Sequence, residues 1–315
     1  MNTRFKIFAF TTNTKLTLRL IYMVMVTFLI SCSSDDDVMD IPPTPIVDTS
    51  VLDLPSDVNR LFLANGNKEA DTVMIYENGG PSFELEDDDF EDPDFEDDIF
   101  SQKFKNYYRV YAHQAETLFT QKTCDSDYSR SDAEKNNRTS VEILDRIVKN
   151  FKNQGKTVLL VGHSFGGFII TKYIAEKPNQ ADRILIMASR LDMQIEVANA
   201  YLRKELYTFK NGEIPTPSSD SELIEAYEDC ESAYIVAGAM VADRFTQKLA
   251  SKDLSNVLYV HAVDDEQTGT LSKAEDSFLV SKKARIIKIP AGEGGHSAMF
   301  FRPYSDLIVQ TFFAQ

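Results

Sequence analysis

Ser164 stands in the run Leu159, Leu160, Val161, Gly162, His163, Ser164, Phe165, Gly166, Gly167, at the centre of a GxSxG pattern. A serine hydroxyl is a weak nucleophile until a base takes its proton, so a catalytic serine must stand where a base and a carbonyl can both reach it. A sharp turn between a strand and a helix does this. Glycine is needed two positions to either side, because Cβ atoms there would meet the neighbouring strand and helix. With 13 glycines in 315 residues, a chance match is expected in roughly 4% of such chains, so the context must decide. That context is present: an apolar run precedes the turn, and Phe168 to Glu176 reads as a helix that stops before Pro178. Other candidates for chemistry are few. Three Cys and four His occur, none paired at CxxC or HxxxH spacing, so no metal site is expected from them. From Glu84 to Asp98 there are eleven acids in fifteen residues. The run lacks the glycine of an EF-hand loop, which leaves a cation site and a solvated, self-repelling loop as its two readings.

The elements that would hold Ser164 alternate along the chain. Strands are expected at Asp71 to Tyr76, Tyr107 to Ala112, Thr157 to Val161, Arg183 to Ala188, Val257 to Ala262 and Ala284 to Ile289. Several are nearly unbroken apolar runs, the pattern of strands covered on both faces. Between them lie helical stretches, such as Val141 to Phe151 with Ile143, Leu144, Ile147, Val148 and Phe151 on one face. Strict alternation of this kind predicts an α/β domain with a mostly parallel sheet and crossover helices on both faces.

With these residues in view, the chain resembles the α/β-hydrolase superfamily over about residues 60 to 313. The family orders its triad Ser, acid, His along the chain. Of His113, His163, His261 and His296, only His296 follows a strand that comes after a loop with acids, in the segment Glu293, Gly294, Gly295, His296, Ser297. The resemblance thus makes Ser164 the nucleophile and His296 the base. The acid falls in Val263, Asp264, Asp265, Glu266. Laying Ala262 on the family's usual glycine selects Asp265, with Asp264 as the alternative one residue away. The oxyanion donors implied are the backbone N–H of Phe165 and that of Gly80, in the turn Asn78, Gly79, Gly80, Pro81 after the first expected strand. Between residues 191 and 254 the pattern is helical, at Asp192 to Tyr207, Ser221 to Tyr234 and Ala237 to Ala250, and resembles the small cap of such enzymes. The expected reaction is acyl transfer to water on a carboxylic ester or related bond, without cofactor or metal. A proline-iminopeptidase-like peptidase, faintly suggested by the NGGP turn, and a non-catalytic binding protein on the same scaffold are the other readings. The substrate would be a small molecule or short peptide.

The rest concerns address. Residues 1–31 hold Arg4, Lys6, Lys15 and Arg19, no acid, and the apolar run Leu20 to Ile30, the pattern of a secretory signal too short to span a bilayer comfortably. Leu29, Ile30, Ser31, Cys32 resembles a bacterial lipobox, which implies lipid on Cys32, and Ser33 to Asp37 resembles a surface-export signal of Gram-negative lipoproteins. An exported lipoprotein of the outer membrane or cell surface is expected. Residues 32–56 carry four prolines among acids and read as a tether for the domain at 57–315. The formal charge of -16 excludes a nucleic-acid footprint. After lipidation Cys124 and Cys230 remain, one in the loop behind the second expected strand and one in the cap. In related folds these share a side of the sheet, so a bridge and two separate thiols are both open. Nothing in the sequence sets the oligomeric state.

Overall fold

The computed structural model describes residues 49–85, 103–119, 124, 127–228 and 230–314. The signal segment 1–31, Cys32, the tether up to residue 48 and residues 86–98 of the acidic run lie outside the described residues.

Nine strands are present among the described residues: β1 (Phe62–Gly66), β2 (Thr72–Glu77), β3 (Tyr108–Ala112), β4 (Thr157–His163), β5 (Arg183–Met187), β6 (Tyr207–Lys210), β7 (Ile214–Pro217), β8 (Val257–Ala262) and β9 (Arg285–Ile289). Seven form one sheet in the order β1-β3-β2-β4-β5-β8-β9. Only β1 runs antiparallel to its neighbour; the other pairs are parallel. All six expected strands are found, and β1 is an addition. Its half-exposed pattern at the sheet edge lacks the apolar run that marks the buried strands.

The helices are α1 (Ala115–Leu118), α2 (Arg130–Asn153), α3 (Phe165–Glu176), α4 (Ile195–Leu202), α5 (Ser221–Glu228), α6 (Ser232–Val241), α7 (Phe245–Lys248), α8 (Lys273–Ser281) and α9 (Tyr304–Phe313). A 3-10 turn spans Gly295–Phe300. Side chains alternate across each strand, so one face of the sheet packs Val73, Ile75, Val158, Leu160, Ile184 and Ile186 under α2, α3 and α8. Met74, Tyr76, Leu159, Val161, Leu185 and Met187 pack on the other face against α9 and the 3-10 turn. Helices therefore cover both faces.

Two stretches differ from the sequence expectation. Residues 49–56 lie along α2, where Leu52 N–H donates to Thr139 Oγ1 at 2.9 Å and Arg138 Nε donates to the Ser50 carbonyl at 3.1 Å. Leu54 packs on the core and supplies the apolar contact that the composition of the tether as a whole lacks. The cap between β5 and β8 is not wholly helical: between the expected helices ending at Tyr207 and starting at Ser221, β6 and β7 form an antiparallel hairpin. Asn211 and Gly212, with φ of 54° and 72°, make its turn.

Candidate active site

The chain runs from β2 outward to β3 and then returns to place β4 on the other side of β2. At such a switch point the loops leaving two adjacent strands diverge and open a crevice at the carboxyl edge of the sheet. Ser164 leaves β4 there, at φ 52° and ψ −121°, a conformation that a non-glycine residue holds only when its surroundings enforce it. Those surroundings are tight. A Cβ on Gly166 would lie 2.0 Å from the Glu77 carbonyl oxygen, and one on Gly162 would lie 2.8 Å from the Gly166 carbonyl oxygen. The Ser164 N–H donates to the Met187 carbonyl on β5 at 2.9 Å, and its own carbonyl accepts from Gly167 N at 3.0 Å. The turn after β2 closes over it, with Gly79 packed against the Ser164 Cβ and Gly80 beside Ser164 in the wall of the crevice. Phe165 opens α3, so its N–H is among the unsatisfied donors of a helix N-terminus.

His296 lies in the 3-10 turn after β9, preceded by Gly294 at φ 111° and Gly295 at φ 54°. Its Nδ1 is 3.0 Å from both carboxylate oxygens of Asp265. Asp265 follows β8 and is fully buried; it also accepts from Gln267 N, Thr268 N and Thr268 Oγ1, each at 2.9 Å. Burial alone would push this carboxyl up, but the His296 imidazole and the hydrogen bonds from His296 and Thr268 outweigh it and hold the group below the usual carboxylate range. An ionised carboxylate only accepts, so the His296 proton sits on Nδ1 and Nε2 is left as a base. Of the two candidate acids, Asp265 thus meets His296. Asp264 turns away and accepts from Gly292 N at 2.6 Å.

Three contributors escaped the sequence reading. Glu266 accepts the His296 backbone N–H at 3.1 Å and so fixes the turn that carries the imidazole. His163, beside Ser164, packs its ring 4.8 Å from that of His296 and contacts the His296 carbonyl through Nε2 at 3.2 Å. Burial and the nearby His296 push His163 down to about 3, so it stays neutral and donates through Nε2. Gln114 holds the turn after β2, as described below. Only a spacing of one from Ser164 or Asp265 pointed to the first two. The remaining histidines are engaged elsewhere: His113 with Thr117 at 2.8 Å and buried His261 with Thr270 at 3.1 Å.

Ser164 opens into a cavity of about 240 Å³ lined by Phe165, Phe168, Met193, Tyr201, Leu223 and Tyr227 among others, and none of the described residues that line it is formally charged. The cap supplies most of this wall. Cys230, between α5 and α6, is joined to Cys124 by a disulfide with Cα atoms 4.9 Å apart. Among the described residues no cluster of His, Cys, Asp and Glu is arranged to hold a metal. No helix among them is long and apolar enough to cross a membrane.

The model of a protein family described as the α/β hydrolase fold matches residues 82–232. No curated protein matches the chain. Among solved structures, the chain is similar to a lipase-esterase related protein of Clostridium acetobutylicum, at 13% identity over 79% of this chain and 97% of that one, with a TM-score of 0.50. It is also similar to MenH of S. aureus, at 13% identity over 81% and 98% with a TM-score of 0.48. A carboxylesterase of Nitrososphaera gargenis gives 13% identity over 80% and 93%, again with a TM-score of 0.48. Sheet order, the strained turn after β4, the family match and the clostridial structure agree: the chain has the α/β-hydrolase fold.

Proposed function

We propose that this chain is a serine hydrolase that cleaves an uncharged carboxylic ester through Ser164, His296 and Asp265. The observation that carries the reading is the pairing of His296 Nδ1 with buried Asp265, which leaves Nε2 as the basic nitrogen of a ring packed 4.8 Å from that of His163, the residue before Ser164. Ser164 Oγ attacks the carbonyl carbon as its proton passes to Nε2, and Asp265 balances the imidazolium that forms. The backbone N–H groups of Phe165 and Gly80 stabilise the oxyanion. Collapse expels the alcohol, which takes the proton from His296 and leaves an acyl-enzyme; water then repeats the sequence and releases the acid.

The cavity argues for the kind of substrate. An aminopeptidase must give its substrate's ammonium group a carboxylate partner, and among the described residues no Asp or Glu lines the cavity. An anionic acyl group would likewise meet no cation among the described lining residues, in a molecule of charge -16. Uncharged acyl groups of modest size fit the aromatic and aliphatic wall. The lipobox-like Cys32 supports an exported, lipid-anchored form of the enzyme.

Ser164→Ala tests the assignment. Short-chain ester turnover should fall by about 10⁶-fold and labelling by a fluorophosphonate probe should vanish, with the melting temperature unchanged. Turnover at the parent rate in this variant would sink the reading.

A further inference from the structure

Gln114 is 1% exposed, sits just after β3 and does not line the cavity, yet its side-chain amide makes three hydrogen bonds to the turn after β2. Nε2 donates to the Asn78 carbonyl at 2.9 Å and to the Gly79 carbonyl at 3.1 Å, while Oε1 accepts from Ser82 N at 3.0 Å. The orientation of the amide follows from its partners. Reversed, it would set its oxygen against two carbonyl oxygens and its NH₂ against an N–H.

The consequence lies in the peptide plane. The Gly79–Gly80 bond is not among the cis bonds of the chain, and in a trans peptide the N–H points opposite to the C=O of the same unit. By holding the Gly79 carbonyl, Gln114 forces the Gly80 N–H to face the other way. A glycine pair has no side chain to fix its own planes, and Gly80 at φ 131° occupies a region that costs it little to leave. Building on the serine-hydrolase reading above, we propose that Gln114 is a positioning residue that aims the Gly80 N–H at the oxyanion.

Gln114→Glu tests this, because it keeps the shape and the Ser82 contact but sets a carboxylate oxygen against the two carbonyls. At pH 8, kcat for p-nitrophenyl butyrate should fall about 10- to 100-fold, with KM within about threefold of wild type. The deficit relative to wild type should narrow as the pH is lowered, because a protonated Glu can donate to one of the carbonyls again. Gln114→Met should show the same loss at every pH, and it decides by the same criterion if thermal melts show that the Glu variant does not fold. Wild-type kcat in a folded variant, or a loss confined to KM, overturns the proposal. Absence of ester turnover and fluorophosphonate labelling in the wild-type chain would instead overturn the serine-hydrolase reading itself, before any variant is compared.

Discussion

Asp264 and Asp265 are neighbours in sequence with opposite surroundings, because the chain turns between them at the end of β8. Asp265 is fully buried against His296, whereas Asp264 serves the Gly292 loop. Under the proposed mechanism Asp265→Asn should lower kcat by about 10³- to 10⁴-fold, since the Asn can hold the imidazole in the wrong tautomer. Asp264→Asn should cost less than about tenfold, and the comparison of the two kcat values checks the assignment. Glu77 presents the reverse case. It ends β2 fully buried, neither carboxyl oxygen has a hydrogen-bond partner among the described residues, and burial pushes its carboxyl well up. The folded chain therefore keeps a proton that the unfolded chain releases above the ordinary carboxylate range. Stability is full below that range and falls as the pH rises toward the folded value. Glu77→Met should raise the melting temperature by several degrees at pH 8 and by much less at pH 4, read by calorimetry across pH.

At the scale of elements, two of the ties between the cap and the rest of the chain lie close to the site. The hairpin leans on the loop that carries the acid: Phe209 N donates to the Glu266 carbonyl at 2.6 Å and Thr270 N donates to the Gly212 carbonyl at 2.7 Å. The disulfide then fixes the junction behind α5, whose Leu223 and Tyr227 wall the cavity. Replacing both cysteines by serine should lower the melting temperature by about 5 °C or more, since such bridges contribute about 2 to 4 kcal/mol. It should raise KM several-fold while kcat changes less than threefold, because the wall loosens but Ser164, His296 and Asp265 stay on the core. Steady-state kinetics of the double variant check this. Much of this frame was legible in the sequence because buried parallel strands write themselves as apolar runs and the GxSxG turn has stringent steric needs. The hairpin was not. Pro215 and Pro217 disfavour a central strand, yet two residues apart they share one set of positions, pairing with Phe209 and Tyr207, where the N–H faces away from β6. Asn211-Gly212 was the signal that could have found it. Gln114, Glu266 and His163 stayed hidden because each works through a backbone group, and a backbone partner leaves no complementary residue type to search for.

For the whole molecule, the basic, apolar start of the chain and the lipobox-like Cys32 together motivate the proposed address. Cys32→Ala should leave the precursor unprocessed or the product free of the membrane fraction, and mass spectrometry of the mature N-terminus reads the outcome directly. An unmodified Met1 on the mature protein would refute the lipid anchor. The Cys124–Cys230 bond adds a consequence for how the chain responds to proteolysis. It closes a covalent ring that contains Ser164 but excludes Asp265 and His296, and the exposed Glu213 and Ile214 at the hairpin tip lie on that ring. A protease cutting there severs the backbone without dividing the molecule: the two fragments remain one covalent body until a reductant arrives. For a chain anchored through Cys32, as proposed, a cut at the hairpin tip therefore leaves both fragments held at the membrane.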